Sequence, residues 1–390
     1  MQADWPLSLG IALALLAVGV LLGELWSRLR GPRPERRGRR ARPHYLLGLN
    51  YLVSNQPTHA IRELSRAVRQ ETDAVEAYLA LGNLFRENGQ IERAIDIHKS
   101  LLHRSGLSEW ERTQVLFSLA MDFKKAGLID RAERSLEEVG QRDPDHLGCL
   151  YSLQQIAEES GRWEEALRIH RRIQEVSGAG DEDLLPGLET EWGRALVAID
   201  ADAAERHFRA ALDLRPDYAP AHFGLGTCVL ERAAPEAALE HLQQAVETGG
   251  AWALAALEPM SEACSQTGDI APLARACEQI LAREPRAWRA HLALARIHMG
   301  RGETEAARSA LGQALAARPA SVAVQRQLWD LLSSEGKGIE QFVAVFDQAL
   351  GDARMVDPYV CLGCRFKSAE LFARCPHCHE WNTMTEERTE

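Results

Sequence analysis

A helical pattern that recurs every 34 to 38 residues, from His44 to about Leu350, is the strongest constraint on how this chain folds. One position on a helix face is equivalent in every cycle, and it is alanine in seven of nine cycles. These positions are Ala60, Ala94, Ala132, Ala166, Ala204, Ala238, Leu273, Ala307 and Gln341. A fixed period of this length is typical of a solenoid in which each unit is a pair of helices. We therefore predict about nine helix pairs over residues 44–350.

The composition agrees with a helical protein and argues against nucleic-acid binding. Hydrophobic residues make up 46% of the 390 residues, aromatic residues only 6%, and alanine and leucine are abundant. The formal net charge is -11, but residues 1–42 carry eight arginines against three acidic residues, a local charge of +5. The remainder of the chain therefore carries -16. A body this acidic lacks the electrostatic basis for contacts with phosphate backbones.

The N-terminal segment predicts a membrane anchor, which we place at residues 1–26. The stretch Leu7–Trp26 has 20 residues and a single charge, Glu24. A helix of that length spans roughly 30 Å, the thickness of the hydrocarbon layer. A cleaved signal peptide is the alternative, but the segment lacks a basic start and a small-x-small cleavage site. We therefore predict a transmembrane helix.

All eight early arginines lie in the linker at residues 27–43. Arginine beside a transmembrane helix stays on the cytoplasmic side, so the repeats are predicted to be cytosolic. Prolines and glycines in this linker disfavour helix and favour an extended tether. The arginines also attract anionic lipid, a second effect that is compatible with the first.

The repeats resemble tetratricopeptide repeats. The first helix of a unit carries a large apolar residue, then Leu-Gly and an aromatic residue, as in Tyr78, Leu81, Gly82 and Phe85. Small residues let the two helices of a unit approach closely, and large residues fill the gaps between units. The resemblance implies an all-α superhelical solenoid whose first helices line a face that binds peptides or proteins.

Two local predictions follow from the repeat pattern. Asn83 and Arg86 lie on one first helix and are candidates for the binding face, although solvated helix surface is the expected role of such residues. The stretch at residues 177–187 is predicted to be a loop or an irregular joint between the fourth and fifth units. The ninth unit, around Leu328, Gly336 and Val345, is degenerate, as terminal capping units often are.

Two C-x-x-C pairs near the C-terminus predict a metal site within residues 356–384. Cys361, Cys364, Cys375 and Cys378 lie within 18 residues, whereas the other four cysteines are scattered through the helical region. Each pair brings two sulfurs together in one turn, and the ten residues between the pairs allow a hairpin. Four thiolates form a closed tetrahedral site that suits one structural zinc ion, and iron accepts the same ligands. No open position for catalysis remains.

Other interpretations of these cysteines have less support. A thioredoxin-like redox pair lacks its βαβ context, and disulfides conflict with a cytosolic location. His377 and His379 are predicted to be bystanders, because four sulfurs already complete the shell. The small core of this domain is expected to consist of Tyr359, Phe366, Leu371, Phe372 and Trp381. The same side chains are candidates to dock the domain onto the last repeats.

The turns of the two C-x-x-C pairs depart from the usual rubredoxin-like knuckle at one position. Arg365 and His379 follow the second cysteine of each pair, where glycine is common. A left-handed backbone at these residues costs about 1–2 kcal/mol.

The sequence gives no indication of an enzyme. It lacks the P-loop, dinucleotide-binding, zinc-protease and nucleophile-elbow motifs. His98 and His103 are five residues apart, the wrong spacing for a shared metal on one helix face. We predict a protein without catalytic residues.

The order of these segments resembles the lipopolysaccharide assembly protein B family of Gram-negative bacteria. The resemblance depends on the anchor, the arginine-rich flank, the repeats and the terminal YVCLGC and CPHCHEW motifs. It implies a single-pass protein of the bacterial inner membrane, with its bulk in the cytoplasm, that regulates lipopolysaccharide biosynthesis. Its implied partners are the protease FtsH, the deacetylase LpxC that FtsH degrades, and other lipopolysaccharide-assembly proteins. The alternative is another membrane-anchored repeat scaffold, for example in cell-envelope or cytochrome assembly.

Overall fold

A computed structural model describes residues 42–70, 75–178, 184–319, 321–334 and 359–387. The chain divides into two compact units, residues 1–144 and 145–390. The helices described in the first unit are α1 (Arg42–Val53), α2 (Pro57–Gln70), α3 (Val75–Glu87), α4 (Ile91–Leu102), α5 (Glu109–Lys125) and α6 (Ile129–Arg142). They form three helix pairs, the first three repeats.

The second unit continues the repeats and ends in a small β-sheet. Its described helices are α7 (Leu147–Glu159), α8 (Trp163–Ser177), α9 (Leu185–Leu196), α10 (Ala201–Leu214), α11 (Ala219–Glu231), α12 (Pro235–Thr248), α13 (Gly250–Thr267), α14 (Ala271–Arg283), α15 (Trp288–Gly300), α16 (Thr304–Ala317) and α17 (Val322–Ser334). Odd-numbered helices are the first helices of their repeats. The helical tetratricopeptide fold predicted from the period is therefore confirmed in both units.

The equivalent positions of the repeat pack where each second helix meets its first helix. Seven alanines, from Ala60 to Ala307, are completely buried, and Leu273 is 2% exposed. Gln341 lies outside the described residues. Glycines on the first helices also allow the second helices to approach closely. A Cβ atom on Gly226 of α11 would lie only 2.8 Å from Leu242 Cγ of α12. Small residues therefore set the close spacing of the helices.

Glycine also ends the first helix of several repeats. Gly89 has φ 75° and Gly161 has φ 69°, a left-handed backbone that glycine adopts without steric cost. The following amide then bonds back across the turn, from Gln90 N to Phe85 O at 2.8 Å. Gly89 thus closes the first helix of its repeat.

Three polar side chains form a largely buried group in the first unit. Asp122 and His98 are fully buried, and His98 Nδ1 lies 2.5 Å from Asp122 Oδ2. Arg86 donates from Nη1 to Asp122 Oδ1 at 3.0 Å and to the Ser118 carbonyl at 3.2 Å. The expectation that Arg86 is solvated surface is therefore wrong, because it reaches from α3 to α5 and neutralises a buried carboxylate. Asn83 is only half-exposed, and its side-chain oxygen is buried.

Gly82 leaves the space that His98 occupies, which gives a testable prediction. A Cβ atom at residue 82 would lie 2.4 Å from His98 Nε2. We expect Gly82→Ala to destabilise the first unit by about 1–3 kcal/mol, since overpacking displaces the buried imidazole. Urea denaturation measures the change. The control is Gly140→Ala on α6, where a Cβ atom meets nothing within 4 Å. It should instead stabilise by about 0.5–1 kcal/mol, and equal effects of the two substitutions would contradict the prediction.

The joint between the fourth and fifth repeats is shorter than predicted. Helix α8 continues to Ser177, and α9 already begins at Leu185, so Pro186 and Gly187 are helical rather than part of a loop. Proline is well tolerated there because the first turn of a helix does not use its amide hydrogens.

Several predicted features lie outside the described residues. These are the anchor at residues 1–26, nearly all of the linker at 27–43, and Gly336 and Val345 of the ninth repeat. Among the residues that the structure describes, no helix is long and apolar enough to cross a membrane.

The C-terminal domain, here called the ribbon (residues 359–387), is built on a three-stranded antiparallel sheet. Its strands are β1 (Tyr359–Cys361), β2 (Lys367–Ser368) and β3 (Met384–Glu386), in the order β2-β1-β3. Cys361 pairs with Met384 at the end of β1. The sheet therefore carries one cysteine pair directly at the end of its central strand.

Candidate metal ribbon and its seat on the repeats

Two similar turns place the four cysteines. In the first, the Arg365 amide bonds to the Cys361 carbonyl at 2.9 Å, and in the second, the His379 amide bonds to the Cys375 carbonyl at 2.9 Å. Arg365 has φ 63° and His379 has φ 62°. The left-handed backbone that the knuckle requires is thus present at both sites, although neither residue is glycine.

The sulfur atoms fit one tetrahedral ion. All four Sγ atoms lie within 4.8 Å of one another. The distance is 3.6 Å between the sulfurs of Cys361 and Cys378, and 3.7 Å between those of Cys364 and Cys375. Four sulfurs at about 2.3 Å from a central zinc ion are about 3.8 Å apart. The ribbon therefore provides a four-cysteine site for one structural metal ion, either zinc or iron.

Hydrogen-bond donors surround the sulfur of Cys361, the first cysteine of the site. Burial raises the pKa of the Cys361 thiol, but bonds from the Thr383 hydroxyl, the backbone amides of Cys364 and Gly363, and Cys378 outweigh burial and lower it to about 6. The Thr383 oxygen lies 3.2 Å from the Cys361 sulfur. A thiolate is thus already favoured at this sulfur near neutral pH, and metals bind thiolates rather than thiols.

Both nearby histidines point to other partners. His377 is exposed and stacks on Phe366, with ring centroids 5.9 Å apart. His379 Nδ1 lies 3.1 Å from Arg374 Nη1. Within the described residues, the metal-binding group consists of the four cysteines without either histidine.

The ribbon does not stand apart from the repeats. It lies on or beside the first helices of repeats four to eight, on a surface here called the seat. The seat comprises Glu158, Gly187, Glu191, Arg194, Tyr218, Trp252, Arg289 and the neighbouring Arg318. Trp381 packs into a recess over α9: a Cβ atom on Gly187 would lie 2.7 Å from Trp381 Cζ3. Trp381 also contacts the cluster that contains Leu188.

One end of the seat is acidic and holds an arginine. Arg374 Nε lies 3.2 Å from Glu158 Oε2, and both side chains are buried. Glu191, also buried, lies close enough to Arg374 to interact electrostatically. Burial raises the pKa of both Glu158 and Glu191, and Arg374 opposes that shift in each. Arg374 is therefore a counter-ion shared by the two buried carboxyl groups, and Arg194 is a second one for Glu191.

The other end of the seat is basic and holds carboxylates. Arg289 donates from Nε to Glu386 Oε1 at 2.6 Å, and its guanidinium lies 5.0 Å from the centre of the Tyr359 ring. Arg318 is 6% exposed and bonds to the Glu387 carbonyl. At both ends, the charged groups of the ribbon are thus opposite in sign to those of the seat.

Apolar contacts connect the two ends. The ribbon core contains Tyr359, Leu371 and Met384, and Trp252 and Ala255 of α13 pack against it. Phe372 lies under the Arg194 guanidinium, 4.3 Å from it. The core predicted from the sequence is therefore partly right, but Trp381 belongs to the interface with the repeats and not to the interior of the ribbon.

A cavity of about 330 Å³ remains open beside the ribbon. It lies between α13 and α15, and its lining includes Leu254, Glu258, Trp288, Arg296 and Tyr359. The first-helix face is therefore only partly covered by the ribbon.

The described residues thus contain the predicted cysteine cluster, and Trp381 docks the ribbon onto the repeats. The contacts of Arg374 and the extent of the interface over repeats four to eight were not predicted. No local pattern marks Arg374 as a contact of the repeats, and none shows which helix Trp381 packs on. The available signal was Gly187, a glycine inside a helix, which often indicates close approach of another group.

Comparisons with known proteins agree with both parts of the chain. A model described as the rubredoxin metal binding domain matches residues 359–386. Tetratricopeptide repeat models match residues 45–106, 193–258 and 274–331. Helix pairs also fill residues 109–177, between the matched segments.

Two relatives extend the similarity to most of the chain. Lipopolysaccharide assembly protein B of Escherichia coli (strain K12) is 26% identical over 344 residues, covering 87% of this chain and 88% of that protein. The protein of the same name from Haemophilus influenzae is 23% identical over 356 residues, with the same coverage. Among solved structures, the C-terminal part of a repeat protein from Cytophaga hutchinsonii has a TM-score of 0.42 at 14% identity, covering 74% of this chain and 99% of that one. The resemblance to the lipopolysaccharide assembly protein B family is thereby confirmed, both along most of the chain and in its rubredoxin-like ribbon.

Proposed function

We propose that this protein is a membrane-anchored adaptor that regulates lipopolysaccharide biosynthesis in the bacterial inner membrane. It brings the deacetylase LpxC to the protease FtsH, and it gathers other lipopolysaccharide-assembly proteins at the same place. It acts by binding and not by catalysis. The observation that carries the proposal is the similarity to lipopolysaccharide assembly protein B over 87% of the chain.

The physical basis of the proposal is confinement at the membrane. Residues 1–26 anchor the chain, residues 27–43 keep the repeats at the cytoplasmic surface, and residues 44–350 form the binding array. Confinement to one surface raises the effective concentration of the array near any membrane protease. The open first-helix face beside the ribbon then holds a client near that protease.

The ribbon, which corresponds to the metal-binding domain predicted at residues 356–384, is the structural cap of this array. In the proposal, Cys361, Cys364, Cys375 and Cys378 are the four ligands of its metal, and zinc and iron both suit them. When bound, the metal supplies folding energy to a domain too small to fold on its apolar core alone.

Affinity purification from membranes tests the adaptor role directly. Recovery of FtsH and LpxC with the full chain supports it. Recovery of a different set of envelope or cytochrome-assembly proteins, without FtsH, would instead favour the alternative of another membrane-anchored scaffold.

Removal of the anchor separates folding from function. We expect deletion of Met1–Arg30 to leave a folded array that no longer supports LpxC turnover, because the array is built from helices of its own, from α1 (Arg42–Val53) onward, and the confinement is lost. Circular dichroism checks the fold, and the LpxC level in cells that carry only the truncated chain measures turnover. Restoring an unrelated transmembrane helix is the control and should restore turnover. An unchanged LpxC level in the truncated strain would refute the tethering mechanism.

A further inference from the structure

We propose that the metal site controls access to the seat: the ribbon covers this binding surface while it is metal-loaded and leaves the surface when the metal is lost. The inference deepens the proposed function and rests on its four-cysteine metal site. It assigns the ribbon a regulatory role beyond that of a stabilising cap.

Two of the residues that hold the ribbon on the seat, Arg374 and Trp381, are positioned by the second cysteine turn. Arg374 directly precedes Cys375, and Trp381 follows Cys378 by three residues. Arg374 and Trp381 also form an antiparallel bridge with each other. Within the turn, the Cys375 amide bonds to the Glu380 carbonyl at 2.9 Å. Both anchors therefore take their positions from the backbone that converges on the metal.

The ribbon has little else to keep that backbone in place. Its strands have two or three residues each, and its buried core includes Cys361 and Cys375 themselves. A domain of this size does not bury enough apolar surface to fold without a metal or a disulfide. Without the metal the second turn opens, so Arg374 and Trp381 lose their fixed geometry together.

The seat, in contrast, does not depend on the ribbon for its own structure. Its residues lie on or beside helices that are held by the repeat packing, with completely buried Ala204 and Ala238 between the two helices of their pairs. Loss of the ribbon therefore exposes a formed surface instead of unfolding it.

The exposed surface has a definite chemistry. Glu158 and Glu191 form an acidic end beside the recess at Gly187, Trp252 is the apolar middle, and Arg289 with Arg318 forms a basic end. Such a surface suits a polypeptide with an arginine and an aromatic residue at one end and carboxylates at the other. The ribbon carries these groups as Arg374, Trp381 and Glu386, and it therefore occupies the surface that such a polypeptide would bind.

Side-chain footprinting of the full chain in detergent solution tests this inference. The oxidation rates of two tryptophans by hydroxyl radicals are compared by mass spectrometry: Trp252, under the ribbon, and Trp110, 64% exposed in the first unit. The protein is measured as purified, after removal of the metal with a chelator under reducing conditions, and after addition of zinc. Elemental analysis gives the metal content of each sample.

We expect the Trp252 rate to rise several-fold on metal removal and to return with zinc, while the Trp110 rate stays constant. An unchanged Trp252 rate in a sample shown to be metal-free would overturn the inference and leave the metal site intact. If the purified chain neither contains nor rebinds metal, the proposed four-cysteine site fails and the inference fails with it.

A glycine substitution separates undocking from metal loss. Gly187→Ala places a Cβ atom 2.7 Å from the Trp381 ring, yet alanine is a better helix former than glycine. We expect this variant to keep its metal while Trp252 becomes reactive. Gly312→Ala on α16, where a Cβ atom meets nothing within 4 Å, is the matched control and should change neither quantity. A Gly187→Ala variant with a protected Trp252 would contradict the docking geometry.

Discussion

Replacing Cys361 and Cys364 together with serine should abolish metal binding and unfold the ribbon. Metal content should fall from one ion per chain to none, because two sulfurs cannot complete a tetrahedral site. Apparent binding energies of about 10–16 kcal/mol, as found for structural zinc in zinc-finger peptides, exceed what a core of this size contributes. Elemental analysis measures the metal. Hydrogen exchange of the amides in residues 359–387 measures the folding of the ribbon.

A second pair of cysteines provides the control for this experiment. Cys228 and Cys277 are buried in α11 and α14, away from the metal site. Burial raises the pKa of both thiols, that of Cys277 to about 12, so they remain protonated and behave as small apolar side chains. Cys228→Ala with Cys277→Ala should keep one metal per chain. Full metal occupancy in the Cys361 and Cys364 variant would refute the assignment of the ligands.

Asp122→Ala should destabilise the first unit by about 3–5 kcal/mol, because it leaves Arg86 and buried His98 without their shared carboxylate. Asp122 is fully buried, and the Arg86 side chain is only 16% exposed. The cost of a largely buried guanidinium without its partner is thus larger than that of a lost surface contact. Hydrogen exchange of amides in α3 to α5 gives the free energy of opening of this region.

An exposed ion pair in the same unit is the matched comparison. Glu109 pairs with Arg142, but its side chain is 79% exposed. Glu109→Ala should therefore cost no more than about 1 kcal/mol. If the two substitutions lowered the opening free energy equally, the buried group would have no special role in stability.

The repeat architecture follows from sequence because its determinants are local. The alanine positions predict the second helices directly, since a single small residue per unit is enough to set the helix spacing. The spacing of the two C-x-x-C pairs likewise predicts that the four cysteines lie close together. Both features depend on residues that are close together in the chain or recur at a fixed period.

The seat of the ribbon could not be predicted in the same way. Trp381 meets Gly187, and Arg374 meets Glu158, between segments that are far apart in the chain. Neither pair is related by the repeat period. The sequence pattern was therefore equally consistent with an exposed Arg374 and with a Trp381 inside the ribbon core. The prediction for Arg86 was wrong for a different reason. Its partner, Asp122, lies on the next first helix, and that buried carboxylate draws the arginine away from solvent.

The breadth of the seat has a consequence for how the second unit unfolds. In a solenoid, each repeat contacts only its neighbours, so stability is nearly a sum of nearest-neighbour terms and the ends fray independently. The ribbon adds contacts from Glu158 on α7 to Arg289 on α15, and so it couples repeats that are not adjacent. Repeats four to eight should therefore unfold as one cooperative block. Unfolding of one repeat in this block would lower the stability of the repeat at its far end.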